Sequence, residues 1–141
     1  MKQRILVLCT GNSARSQMGE GLFRAEGGPG VEVFSAGTRP SLVRPEAIAV
    51  MKELGIDLSG HRSKSVDEFI GQPFDLVVTV CDNARDTCPI FPAEERLHWS
   101  FEDPAAREGT EAERLAEFRR IRDQIHQRVK AFFEQSPSPA A

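Results

Sequence analysis

The chain has 141 residues, 40% hydrophobic and 28% charged, the composition of one ordinary globular domain able to bury its own core. Eighteen Lys and Arg against 21 Asp and Glu give a net charge of −3, which offers no electrostatic case for nucleic acid or an acidic membrane as partner. No stretch approaches transmembrane length, and the apolar run Ile5 to Leu8 is too short for a secretory signal, so the expectation is a cytoplasmic protein. In that compartment Cys9, Cys81 and Cys88 begin as thiols, and their odd number argues against a static disulfide framework.

Arg4 to Leu8 reads as a fully buried strand, because its apolar run is continuous rather than alternating. A helix follows over Ser13 to Ala25, ended by Gly27-Gly28-Pro29-Gly30. Val31 to Ser35 is a second strand. Pro45 opens the next helix, with Ile48, Met51 and Leu54 on one face and Gly55 beyond it. Ser65-Val66-Asp67-Glu68 is a capping-box pattern that opens a short helix. Phe74 to Val80 is another buried strand and delivers Cys81 at its end. Leu97-His98-Trp99 reads as a short fourth strand. A second capping box, Thr110-Glu111-Ala112-Glu113, opens the longest helix, whose stripe runs from Leu115 through Phe118, Ile121, Ile125 and Val129 to Phe132. The domain is expected to span residues 1–135, with 136–141 a disordered tail.

Strands alternating with helices imply a single α/β domain, a four-stranded parallel sheet flanked by helices on both faces. Ligands of such sheets bind beyond the carboxyl ends of the strands, and both Cys9 and Cys81 follow strands directly. Between the first strand and helix lies Cys9-Thr10-Gly11-Asn12-Ser13-Ala14-Arg15. Successive backbone N–H groups of such a loop can point inward, and the helix N-terminus adds partial positive charge. Arg15 supplies a planar fork that matches two oxyanion oxygens. Asn12 tolerates the left-handed backbone that a tight cradle requires. The same field favours a Cys9 thiolate; a drop of two pKa units needs only ~2.7 kcal/mol of differential stabilisation. Ser16 could donate to the Cys9 sulfur. Taken singly, Cys9 and Arg15 read equally well as a buried apolar side chain and a solvated cation; the strand–loop–helix context favours chemistry.

Cys9-Thr10-Gly11-Asn12-Ser13-Ala14-Arg15-Ser16-Gln17-Met18 resembles the active-site loop of the thioredoxin-coupled arsenate reductases, which share the fold of low-molecular-weight protein tyrosine phosphatases. The resemblance continues through Ser35-Ala36-Gly37, Asp75 to Thr79, Cys81, Cys88-Pro89, His98-Trp99, Asp103-Pro104 and the closing helix. It implies a phosphatase-like P-loop after the first strand. It also implies that Cys9 attacks arsenate while Arg15 and the loop from Thr10 to Ala14 hold its oxygens. Cys81 would then attack Cys9 and release arsenite, Cys88 would attack Cys81, and thioredoxin would reduce the Cys81–Cys88 bond with no bound cofactor. The implied role is arsenic detoxification, with phosphate as a substrate analogue. Asp103, otherwise a turn or N-cap residue, is implied as the general acid.

Asn12, Glu20 and Ser35 resemble the side chains that bind potassium in some members. Lys64 stands where those members carry aspartate and argues against a metal. On their own, Glu20 reads as a helix-surface charge and His61 and His126 as residues without catalytic partners. If the chain between Cys81 and Cys88 is helical, their Cα atoms lie roughly 10 Å apart, beyond the ~7 Å a disulfide spans, so the segment should unwind during the relay. Three rivals stay open. The first is a phosphatase working through a phosphocysteine, against which stand the absence of tyrosine and Gln17 in place of proline. The others are a redox-regulated phosphate-binding module and a zinc site using Cys81, Cys88 and His98.

Overall fold

The strands expected from sequence appear as β1 (Gln3–Cys9), β2 (Val31–Gly37), β3 (Phe74–Thr79) and β4 (Ala93–His98) in the computed structural model, which describes residues 3–81 and 91–135. All pairings are parallel, in the order β2-β1-β3-β4. β1 and β3, in the middle of the sheet, carry the apolar runs that burial on both faces demands, whereas β2 at its edge exposes Glu32. β4 begins four residues before its sequence-based estimate. Its opening Ala93-Glu94-Glu95-Arg96 is half-buried or exposed, as suits an edge strand, so it lacks the apolar signal.

The helices are α1 (Arg15–Gly27), α2 (Pro45–Lys52) and α3 (Glu111–Gln135). The capping box that opens α3 forms as expected: Glu113 N donates to Thr110 Oγ1 at 3.1 Å, and Thr110 N donates back to Glu113 Oε1 at 3.3 Å. Ser65 caps the short helix expected there, a 3-10 turn over Val66–Phe69, by accepting from Asp67 N. Helical structure covers both faces of the sheet, but unequally. Ile5, Val7, Leu76 and Val78 face the apolar sides of all three α-helices, whereas Leu6, Leu8 and Val77 face Val66 and Phe69 of the turn together with Phe91.

Cys88, the segment expected to unwind and the tail 136–141 lie outside the described residues. No helix among the described residues is long and apolar enough to cross a membrane. What the fold supplies to function is an edge. β1 ends at Cys9 opposite Gly37 of β2, and Val80 N donates to Leu8 O at 2.9 Å, which carries Cys81 up beside the loop that leaves β1.

Candidate active site

The loop from Thr10 to Ala14 has all its carbonyls turned outward or into the helix. Those of Thr10, Gly11 and Ser13 accept from Arg39 N, Ser41 N and Arg44 N, three points of the strap that joins β2 to α2. That of Asn12 accepts from Gln17 Nε2 at 3.1 Å, and that of Ala14 from Met18 N. The backbone N–H groups of Gly11, Asn12, Ser13, Ala14 and Arg15 have no protein acceptor among the described residues. A run of such donors at the start of α1 is an anion nest.

Asn12 makes the nest possible. Its φ of 47° is the one positive value among the described non-glycine residues, and it is fully buried. Its side chain is saturated: Oδ1 accepts from Lys64 N at 2.8 Å and Gln17 Nε2 at 3.0 Å, while Nδ2 donates to Ser16 Oγ at 2.8 Å and Ser35 Oγ at 2.9 Å. Gly37 lets the loop lean on β2, because a Cβ there would overlap the Thr10 carbonyl oxygen.

Cys9 and Cys81 are both buried, and the Cys81 sulfur acts on the protonation of Cys9. Thr10 Oγ1 lies 3.3 Å from Cys81 Sγ. The influence of Cys81 corrects the expectation of an acidic Cys9. The Cys81 sulfur first, and burial second, push the Cys9 thiol far above its ordinary range, outweighing the opposing pull of the Arg15 guanidinium. Two sulfurs in one buried site cannot both carry charge cheaply. Ser16 is also not where sequence put it: it accepts from Asn12 instead of donating to Cys9.

Arg15 is anchored by Nη1 on the Phe101 carbonyl at 3.0 Å, and its Nη2 lies 3.9 Å from Asp103 Oδ2. Asp103 serves as an N-cap, accepting from Ala105 N at 3.0 Å, and yet its other oxygen faces the arginine of the nest. The capping reading of this residue is met by Oδ1, while Oδ2 is the oxygen turned to Arg15. Thr79 Oγ1 and His98 Nδ1, 2.7 Å apart, join β3 to β4 beside the Cys81 end.

Beneath the nest lies a cluster that sequence reading misjudged. Glu20 is buried rather than a surface charge. Its carboxylate accepts from Ser35 Oγ at 2.6 Å and Arg24 Nη2 at 2.7 Å, and Lys64 Nζ stands 3.8 Å away. His61 is partnered too: Nδ1 donates to Gln17 Oε1 at 2.9 Å, and Nε2 lies 3.2 Å from Arg24 Nη1. Burial pushes the His61 imidazole and the Lys64 ammonium below their usual ranges, with Glu20 pulling both back up. Only a three-dimensional contact reveals this cluster, although Lys64 was the signal. The potassium-site residues Asn12, Glu20 and Ser35 do come together, but they do not fit a cation. The Asn12 oxygen is taken by Lys64 N–H and Gln17, and the Glu20 charge by Arg24 and Lys64. His126 is likewise partnered, by Glu26 at 2.7 Å on the surface.

The family model described as low molecular weight phosphotyrosine protein phosphatase matches residues 4–137. The arsenate reductase of Halalkalibacterium halodurans is 49% identical over 134 residues, covering 94% of this chain and 96% of that protein. The low molecular weight protein tyrosine phosphatase of T. tengcongensis superposes with a TM-score of 0.79 at 28% identity, covering 96% of this chain and all of that one. The thioredoxin-dependent arsenate reductase of Corynebacterium glutamicum superposes with a TM-score of 0.75 at 26% identity, covering 95% of this chain and 61% of that longer one.

Proposed function

For a chain that belongs to the low molecular weight phosphotyrosine protein phosphatase family, and whose relatives include arsenate reductases, we propose reduction of arsenate to arsenite by a three-cysteine relay regenerated by thioredoxin. The observation that carries this reading is the second thiol. Cys81, delivered by β3, stands against Thr10 where the loop leaves Cys9 and acts on the Cys9 thiol, a partner that transfer to water does not need and reduction does.

The steps balance with the chain's own thiols. Arsenate enters the nest, where five N–H groups and Arg15 match its oxygens. The incoming anion offers the proton of Cys9 an acceptor, and the thiolate attacks arsenic as one oxygen leaves as water. Asp103, beside Arg15, supplies the proton for that departure. Cys81, as thiolate, then attacks the Cys9 sulfur. The arsenic–sulfur bond breaks with its electron pair on arsenic, As(V) becomes As(III), and a Cys9–Cys81 disulfide remains. Cys88 attacks Cys81 and frees Cys9, and a reduced dithiol protein, thioredoxin, takes the oxidation away. Arsenic detoxification follows as the biological role.

The test is arsenite formation with thioredoxin, thioredoxin reductase and NADPH, run against a glutaredoxin system. Turnover with thioredoxin, and none for Cys9→Ser, is expected. Arsenite from Cys9→Ser would remove Cys9 from its role, and turnover with glutaredoxin alone would remove thioredoxin. Phosphate-ester hydrolysis is a second reading favoured by the nest itself, since the same thiolate and acid suffice for it.

A further inference from the structure

A trans peptide plane carries its carbonyl and the next residue's N–H on opposite sides, so a nest carbonyl held outward aims the following N–H inward. The strap between β2 and α2 does this with backbone N–H groups at three planes. Arg39 N holds the Thr10 carbonyl at 2.8 Å, Ser41 N that of Gly11 at 3.2 Å, and Arg44 N that of Ser13 at 2.9 Å. The plane between Asn12 and Ser13 has no such backbone donor. Among the described residues its carbonyl accepts from Gln17 Nε2 alone, at 3.1 Å. The aim of the Ser13 N–H therefore depends on one side chain.

That side chain is held rigidly. Gln17 is fully buried in the first turn of α1. Its amide nitrogen also donates to Asn12 Oδ1 and to the Arg62 carbonyl, both at 3.0 Å, while Oε1 accepts from His61 Nδ1 at 2.9 Å. Turned end for end, the amide would set its oxygen against three acceptors and its N–H groups against the His61 donor, so one orientation alone satisfies the site. His61 is committed in the same way. Its Nε2 faces Arg24 Nη1 at 3.2 Å, a group that can only donate, which leaves the ring proton on Nδ1.

We infer that Gln17 is a positioning residue for oxyanion capture, acting through the Asn12 carbonyl on the Ser13 N–H, with His61 fixing the orientation of its amide. The inference rests on the nest being the oxyanion site and is independent of the reduction steps that follow. Without the Gln17 N–H, the Asn12 carbonyl has no donor to hold it outward. Rotation of that plane brings its oxygen, the negative end of the peptide dipole, towards the anion. One donor is lost and one repulsion gained, whereas the N–H groups of Gly11, Asn12 and Ala14 keep their anchors on the strap.

The probe is inorganic phosphate, titrated into isotope-labelled wild type, Gln17→Met and His61→Ala, with affinity read by calorimetry and each nest amide followed by NMR. Methionine keeps the length of glutamine without its donor. In the wild type the Ser13 amide proton should move downfield together with those of Gly11, Asn12 and Ala14. Gln17→Met is expected to weaken phosphate binding by about tenfold and to abolish the Ser13 shift while the other three persist. His61→Ala should weaken binding by about threefold and reduce the same shift. A purely structural role for Gln17 would lower Tm but leave the four amides responding together. That result, or unchanged phosphate affinity in Gln17→Met, overturns the inference. Should Gln17→Met fail to fold, His61→Ala decides, and an undiminished Ser13 shift there overturns it. A wild type that takes up no phosphate removes the oxyanion site itself, and the inference with it.

Discussion

The nest and the Asp103 loop meet at Arg15, yet they are built in opposite ways. Asn12 is fully buried and makes four side-chain hydrogen bonds, and three points of the β2–α2 strap hold the surrounding carbonyls. Asp103 is 45% exposed, meets Arg15 at only 3.9 Å and sits on a single 3-10 turn. The difference suits the role proposed for each part. Donors that stabilise an oxyanion work best when fixed beforehand, because they then need no reorganisation during reaction. An acid must serve a leaving atom whose position changes, and a lightly held carboxyl group can follow it.

Asn12→Ala should break the fixed side hardest. It places alanine at φ 47° and removes four side-chain hydrogen bonds, so a loss of about 2–4 kcal/mol in stability is expected, with activity falling at least about 100-fold. Denaturant unfolding and kcat/KM check both, and a stability loss without an activity loss would show that the nest does not depend on its scaffold. Asp103→Asn is expected to act on the loose side alone. Asparagine can keep the cap to Ala105 N, so stability stays within about 0.5 kcal/mol. kcat should fall by about 10- to 100-fold, with oxyanion affinity little changed. An unchanged kcat would return Asp103 to capping alone.

Cys81→Ala sharpens the comparison at the nucleophile. It removes the largest influence holding the Cys9 proton, so the Cys9 pKa falls and its alkylation by iodoacetamide at pH 7 should quicken by about tenfold or more. An equal or slower rate would show that the Cys81 sulfur does not restrain Cys9. The smallest effect concerns potassium. With Lys64 and Arg24 already on Glu20, replacing sodium by potassium should move Tm by less than about 2 °C. A larger, potassium-specific rise would place a cation where these side chains now meet.

Local signals carried much of this structure. Continuous apolar runs marked β1 and β3, the Thr110 capping box marked the start of α3, and Asn12 was readable as left-handed because few residues accept that geometry. Contacts between distant segments account for what sequence missed. The Cys9 thiol is governed by a sulfur 72 positions away, Glu20 by Arg24, Ser35 and Lys64, and His61 by Gln17. The polar opening of edge strand β4 carried no hydrophobic pattern at all.

The central claim is that Cys81 takes oxidation from Cys9 inside the nest, and a single turnover of Cys88→Ser protein with arsenate tests it most directly. Removing the third thiol stops the relay at its first disulfide. Peptide mapping by mass spectrometry should find Cys9 linked to Cys81, with one arsenite released per chain. No arsenite, or arsenite released while Cys9 and Cys81 both remain free thiols, would contradict the account.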